Sequence, residues 1–175
     1  MNKYVNDFLN NIGDINTSDI RWRISNDDID FFNECIDVLK LHNIKTVLDI
    51  SCGKGQFVSL CNQNNIESYG IDPISNNSKH VFVGTYDSII NNSNLLSGYK
   101  FDCITVHNTL HGKHHDVLEL EKLFNFLKHH TKYIIISNPI EYQGYFKFTK
   151  LIYEFNPSHA DKSVFHKLYQ IIHNG

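Results

Sequence analysis

The sequence predicts an α/β protein in which one open, mostly parallel sheet is covered by helices on both faces. Three observations carry that prediction. Short runs that are apolar on both faces (TVLDI, FDCITVH and KYIIIS) alternate with stretches of helical periodicity, as parallel strands buried on both sides do. The first run ends in a turn of small residues, SCGKG, at the strand end where open α/β sheets place their ligand-binding loops. Asn-rich tracts (NQNN, SNNS and NNSN) fall between the candidate elements, where solvated connections belong.

The elements follow in order. Residues 1–24 form an N-terminal arm, with a short helix over Tyr4 to Leu9 and an RWRI segment that can fold over a pocket as a lid. From residue 25 to 175 a single domain is expected. Its first helix is SNDDIDFFNECIDVLKLHNI, capped by Ser25 or Asn26, with acids in the first turn and Ile29, Phe32, Ile36 and Leu39 at helical spacing. TVLDI is the first strand, FVSLCNQ a helix, SYGID and HVFVG the second and third strands, and FDCITVH the fourth. VLELEKLFNFLKHH is a helix and KYIIIS the fifth strand, after which SNPIEY reads as a strand-end turn. In the tail, YFKFTKLIYEF fits a helix with Tyr145, Phe148, Ile152 and Phe155 on one face, or a strand. DKSVFHKLYQIIHNG reads as a helix stopped by Gly175.

Composition narrows the classes. At 175 residues, 41% hydrophobic and 20% charged, the chain is long enough to bury a core of its own. A net charge of −3 supplies no general attraction to nucleic acid or anionic lipid. No apolar run reaches the roughly 18 residues that span a bilayer. The four cysteines have no paired-motif spacing and read as reduced thiols of a cytoplasmic protein. Eleven histidines include the HGKHH cluster, but no partner stands at zinc-ligand spacing, so no metal site is expected.

The functional signal is concentrated in VLDISCGKG. A phosphate loop needs G-x-x-x-x-G-K-[ST], which is missing, and the dinucleotide pattern G-x-G-x-x-G is met here by one glycine of three. The remaining pattern is an acid two residues before a small-x-Gly-x-Gly turn: Asp49, Ser51, Gly53, Gly55. Such a turn lets backbone pass close beneath a ligand, and the upstream carboxylate attracts a cationic amino group.

From about Thr46 to Pro139 the sequence resembles the class I, Rossmann-like S-adenosylmethionine-dependent methyltransferases. VLDISCGKG is similar to their first motif, with Ser51 where glycine is usual, and YGIDP, VFVGTYDSI and FDCITVHNTLHG resemble the following motifs in order. The resemblance implies a three-layer sheet binding S-adenosylmethionine. Asp49, Ser51, Cys52, Gly53 and Gly55 would line the cofactor turn, and Asp72, followed by Pro73, would hold the ribose hydroxyls. Tyr86 and Asp87 would meet the adenine, and His107 would lie at the cofactor and substrate pocket. His107 and His111 are the candidate catalytic residues, needed as a base when the acceptor is a hydroxyl and dispensable for a neutral amine. Because a serine Cβ restricts positive φ, Ser51 is expected to alter the turn or reduce cofactor affinity.

The expected function is therefore methyl transfer to an acceptor, a small molecule or RNA. The alternative is a non-catalytic methyltransferase-like subunit of a larger assembly. Family members end in an antiparallel hairpin, and this chain reads as ending where that hairpin would start. A truncated form, or a sheet edge covered by a second copy or another protein, is expected in consequence.

Overall fold

The structure is a computed structural model that describes residues 26–72, 80–84, 100–107, 117–139, 148–156 and 164–172. The proposed lid, residues 1–24, lies outside them. In chain order the described elements are α1 (Asn26–Leu41), β1 (Thr46–Ile50), α2 (Gln56–Gln63), β2 (Glu67–Asp72), β3 (Val81–Val83) and β4 (Phe101–His107). They continue as α3 (Val117–His130), β5 (Thr131–Pro139), β6 (Thr149–Glu154) and β7 (Val164–Ile171).

The strands form one seven-stranded sheet in the order β3-β2-β1-β4-β5-β7-β6. β1 to β5 run parallel, β7 lies antiparallel against β5, and β6 antiparallel against β7. Strand alternation divides the core in two. Leu48, Ile104, Ile134 and Tyr169 face α3 through Leu123, Phe124 and Leu127. Val47, Cys103, Ile135 and Leu168 face α1 and α2 through Phe31, Cys35, Leu39, Phe57 and Leu60. This is the three-layer architecture that the both-sided apolar strands imply.

The two helices on the α1 side end alike, and the sequence shows why. Asn43 and Asn65 adopt left-handed φ of 54° and 61°. The next residue then bonds back five positions, Ile44 N to Leu39 O at 2.9 Å and Ile66 N to Cys61 O at 2.9 Å. Asparagine tolerates this conformation better than other side-chain-bearing residues. The buried isoleucines that follow turn each chain into its strand. At the amino ends of β1 and β4, Asp102 Oδ2 accepts from the amides of Lys45 and Thr46 at 2.8 and 3.0 Å, fixing the register of the central pair.

The tail corrects two expectations. Residues read as a terminal helix form β7, and YFKFTKLIYEF contains the strand β6, so the antiparallel hairpin is present within the chain. Helical periodicity competes there with a strand alternative. Val164–Ile171 sets His166 and Leu168 on one face and Tyr169 and Ile171 on the other. The buried edge of β5 supplies seven paired positions, from Tyr133 with Gln170 to Pro139 with Val164. Backbone pairing of that extent overrides a weak local preference. Likewise Ser137–Pro139 continue β5 rather than forming a turn. The hairpin removes the reason for expecting a second chain over the β5 edge. Among the described residues the sheet's outer strands are β3 and β6, and the β6–β7 register shifts between Leu151 and Tyr153, an irregularity that discourages further pairing.

Candidate active site

The parallel sheet winds outward from β1 to β3, then returns to place β4 on the other side of β1. The crevice beyond the carboxyl ends of β1 and β4 is therefore the topological switch point, where open α/β sheets hold ligands. The SCGKG turn follows β1 at this point.

Its geometry rests on three residues with positive φ: Ser51 at 58°, Gly53 at 59° and Gly55 at 79°. Ser51 thus takes up the left-handed conformation itself, at a cost of about 1–2 kcal/mol for a residue carrying a Cβ. The turn is locked to β2. Cys52 N donates to Ile71 O at 3.1 Å, and Gly53 N donates to Asp72 Oδ2 at 2.9 Å. Gly55 N closes back onto Cys52 O at 3.0 Å, and Ser59 N bonds Gly55 O at 2.8 Å as α2 begins. The turn also presses on the sheet. A Cβ on Gly70 would meet the Cys52 side chain, with Cβ to Cβ at 2.8 Å, and Val58 Cγ2 at 3.0 Å. Burial drives the Cys52 thiol well above its ordinary range, with Asp49 and Asp72 adding to the effect, so it is a packing group and not a nucleophile.

Two carboxylates flank the turn. Asp49 is 3% exposed and Asp72 4%. Asp49 Oδ1 accepts the Thr105 hydroxyl at 2.6 Å across the β1–β4 pair. Burial raises its pKa from 3.8 to about 7, the Thr105 bond opposes the shift, and the nearby Asp72 reinforces it. Among the described residues, then, Asp49 meets a neutral hydroxyl and a like charge, and no cation. A site with this charge pattern fits a positively charged ligand group. Asp72 already supports the turn through one oxygen, but a carboxylate offers about four lone-pair positions, so holding the turn and accepting further hydroxyls are compatible.

His107 ends β4, one residue past Val106, the partner of Ile50. Its ring is enclosed by Phe31, Phe32 and Phe57, with centroids at 5.3, 5.9 and 5.2 Å. Burial, and then the nearby His166, push its pKa down from 6.5 to about 3, so the imidazole is neutral at any ordinary pH. His107 Nδ1 lies 3.1 Å from Ser137 Oγ, which also lies 2.8 Å from His166 Nδ1.

The structure places Asp49, Ser51, Cys52, Gly53, Gly55, Asp72 and His107 at or just beyond the carboxyl ends of β1, β2 and β4. Pro73, Tyr86, Asp87 and His111 lie outside the described residues, as does HGKHH. Thr105, Ser137 and His166 join the site without having been singled out from the sequence. Thr105 is legible only once the β1–β4 register is known, and His166 was hidden by the helical reading of the tail.

With this geometry in place, comparison with known proteins gives the class. Residues 8–162 match the family model described as a methyltransferase domain. The chain belongs to that family, and with it to the class I, Rossmann-like S-adenosylmethionine-dependent methyltransferases. Solved structures share the fold at low identity. The N-methyltransferase NodS from Bradyrhizobium japonicum WM9, in complex with S-adenosyl-L-homocysteine, is 11% identical with a TM-score of 0.64, over 95% of this chain and 97% of that one. Magnesium protoporphyrin IX methyltransferase (ChlM) from Synechocystis PCC 6803, with bound S-adenosylmethionine, is 13% identical with a TM-score of 0.61, over 97% and 92%. The methyltransferase domain of a bacterial Hen1, CtHen1-CN, is 15% identical with a TM-score of 0.57, over 80% and 97%. No curated protein matches the sequence. Among the described residues, no helix is long and apolar enough to cross a membrane.

Proposed function

We propose that the chain methylates a neutral nitrogen, an amine or ring nitrogen, of a small molecule, with S-adenosylmethionine held over the Ser51–Gly55 turn. Asp49 would face the cationic methionyl end, relieving its own burial without a counter-charge. Asp72 would accept the ribose hydroxyls while keeping its bond to Gly53. Ser51, Gly53 and Gly55 would bring backbone beneath the nucleoside, and Cys52 would hold the turn against Gly70. Pro73, Tyr86 and Asp87 extend the same proposal to the adenine side.

Bound there, S-adenosylmethionine supplies an electrophilic methyl group. The chain's own task is to align the acceptor in line with the methyl–sulfur bond and to exclude water. The observation that carries the acceptor class is the state of His107. A histidine kept neutral down to about pH 3 is a poor proton acceptor, and a neutral nitrogen needs none until after the methyl has moved. An alcohol or phenol needs a base during transfer. That reading passes the role to His111. The net charge of −3 favours a small molecule over RNA. The presence of the β6–β7 hairpin removes one reason for the non-catalytic alternative.

Calorimetry with S-adenosylmethionine, followed by a methylation screen of amines, ring nitrogens, phenols, alcohols and RNA, tests the proposal. Cofactor binding with transfer to nitrogen supports it. Transfer only to oxygen, lost in His111→Ala, replaces the acceptor class, transfer to RNA replaces the substrate class, and binding without any transfer favours the scaffold.

A further inference from the structure

Thr105 stands in β4 between Ile104 and Val106, and all three are fully buried, so its position is one that an apolar residue would fill. Burying a hydroxyl there costs stability unless the group finds a partner. Register supplies the partner. Thr105 lies opposite Asp49 on β1, and its Oγ1 donates to Asp49 Oδ1 at 2.6 Å. That bond fixes one carboxylate oxygen and leaves Oδ2 as the oxygen for a ligand. Asp49 is the next-to-last residue of β1, two before the positive-φ Ser51, so the pair adjoins the turn.

Resting on the methyl-transfer reading, we infer that Thr105 is a positioning residue: it holds the Asp49 carboxyl in place and ready to ionise, so that binding of the cofactor's cationic amino group expels one proton from the site. In the chain alone, burial and the like charge of Asp72 both oppose ionisation of Asp49. The carboxyl therefore keeps its proton up to about pH 7. In that form it has no charge to offer an ammonium group. When the amino group arrives as an ammonium ion, the Asp49 proton passes to solvent and a carboxylate–ammonium pair forms, with no covalent change elsewhere. The Thr105 hydroxyl favours the charged form, because an O–H donates more strongly to a carboxylate oxygen than to a neutral carboxyl. Without that bond, expelling the proton becomes harder.

The other titratable groups that face Asp49 do not take over this role. They are Asp72 on β2, Cys52 in the turn, Cys61 on α2, Cys35 on α1 and Cys103 on β4. Burial pushes all four thiols up, so they are neutral. His107, two residues beyond Thr105 on β4, is held neutral by burial as well. Asp72 accepts Gly53 N at 2.9 Å, which ties its carboxylate to the turn. Among the described residues, Thr105 is thus the group that favours ionisation of Asp49 against burial and Asp72.

Calorimetric titration of the full chain from about pH 5.5 to 9, in two buffers of different ionisation enthalpy, measures affinity and protons released together. The probes are S-adenosyl-L-homocysteine, which carries the amino group, and 5′-methylthioadenosine, which keeps the nucleoside and sulfur but lacks it. Affinity for S-adenosyl-L-homocysteine should rise about tenfold per pH unit on the acid side and level off above about pH 7, with up to one proton released. Affinity for 5′-methylthioadenosine should stay flat. Thr105→Val should move the rise upward by about one pH unit, about tenfold weaker binding at pH 6, without changing 5′-methylthioadenosine binding. Thr105→Ser, which keeps the hydroxyl, should restore the wild-type profile. Unfolding curves confirm that each variant is folded, and Thr105→Ala stands in for a valine variant that is not. The inference is overturned by equal pH dependence for the two probes, by binding without proton release on the acid side, or by a Thr105→Val profile that coincides with wild type. A variant that loses affinity for both probes alike at every pH overturns it too, since Thr105 would then act by packing alone. If neither probe binds, the methyl-transfer reading falls and takes the inference with it; if both bind with flat profiles, the inference falls alone.

Discussion

Replacing Asp49 with asparagine should stabilise the protein at neutral and alkaline pH while weakening its function. In the folded chain the Asp49 carboxyl keeps its proton up to about pH 7, whereas an ordinary aspartate gives it up near 3.8. Between those values the folded state binds more protons than the unfolded one, so Asp49 makes stability fall as pH rises through the window and level off above it. Holding a proton over that interval corresponds to a ceiling of about 4 kcal/mol. Asp49→Asn removes the ionisation and retains a carbonyl oxygen for the Thr105 hydroxyl, now 2.6 Å from Oδ1. Urea unfolding of wild type and variant at pH 4 to 8.5 should give a difference that is small at the acid end and grows to several kcal/mol by pH 8. Even half the ceiling raises the melting temperature by about 4–8 °C for a domain of this length. A variant less stable than wild type at pH 8, or a difference independent of pH, would refute the reasoning. Cofactor affinity should fall in the same variant, the usual exchange of stability for function at a charged site.

Other substitutions probe the turn and its supports. Ser51→Gly relieves a left-handed residue at the expense of unfolded-chain entropy, and should shift the urea midpoint upward by about 0.5–1 kcal/mol. A downward shift would mean that the serine side chain is itself needed. Gly70→Ala drives a methyl into Cys52 and Val58, and should cost about 1–3 kcal/mol, with cofactor affinity reduced as the turn is displaced. Asp102→Ala frees the amides of Lys45 and Thr46 at the opposite end of the strands. It should cost about 1–3 kcal/mol of stability and leave cofactor affinity unchanged.

The central sheet was legible because β1, β4 and β5 are buried on both faces and their composition says so without ambiguity. The turn after β1 was legible for a local reason: Asp49, the positive-φ residues and Asp72 lie within a few residues of strand ends, where backbone chemistry dictates residue type. Ser51 stood out for its Cβ at a position where the resembling family has glycine, and the structure sets it at a positive φ of 58°. The last segment was misread as a helix because β7 owes its state to β5, a partner about 30 residues away, and not to local pattern; for YFKFTKLIYEF the strand alternative holds, through pairing with β7. Partners set by register were invisible for the same reason. Thr105 meets Asp49, and His107, Ser137 and His166 line up, only after three strands are placed. Gly70 is likewise needed because of what lies above it, which no periodicity in β2 reveals.

The most direct test is a crystal structure of the chain grown with S-adenosyl-L-homocysteine. The nucleoside should lie across the carboxyl ends of β1 and β2, with both ribose hydroxyls within hydrogen-bonding distance of Asp72 and the amino group on the Asp49 side of the Ser51–Gly55 turn. A nucleoside seated elsewhere on the sheet, or a crevice that stays closed at millimolar ligand with the fold intact, would contradict this placement.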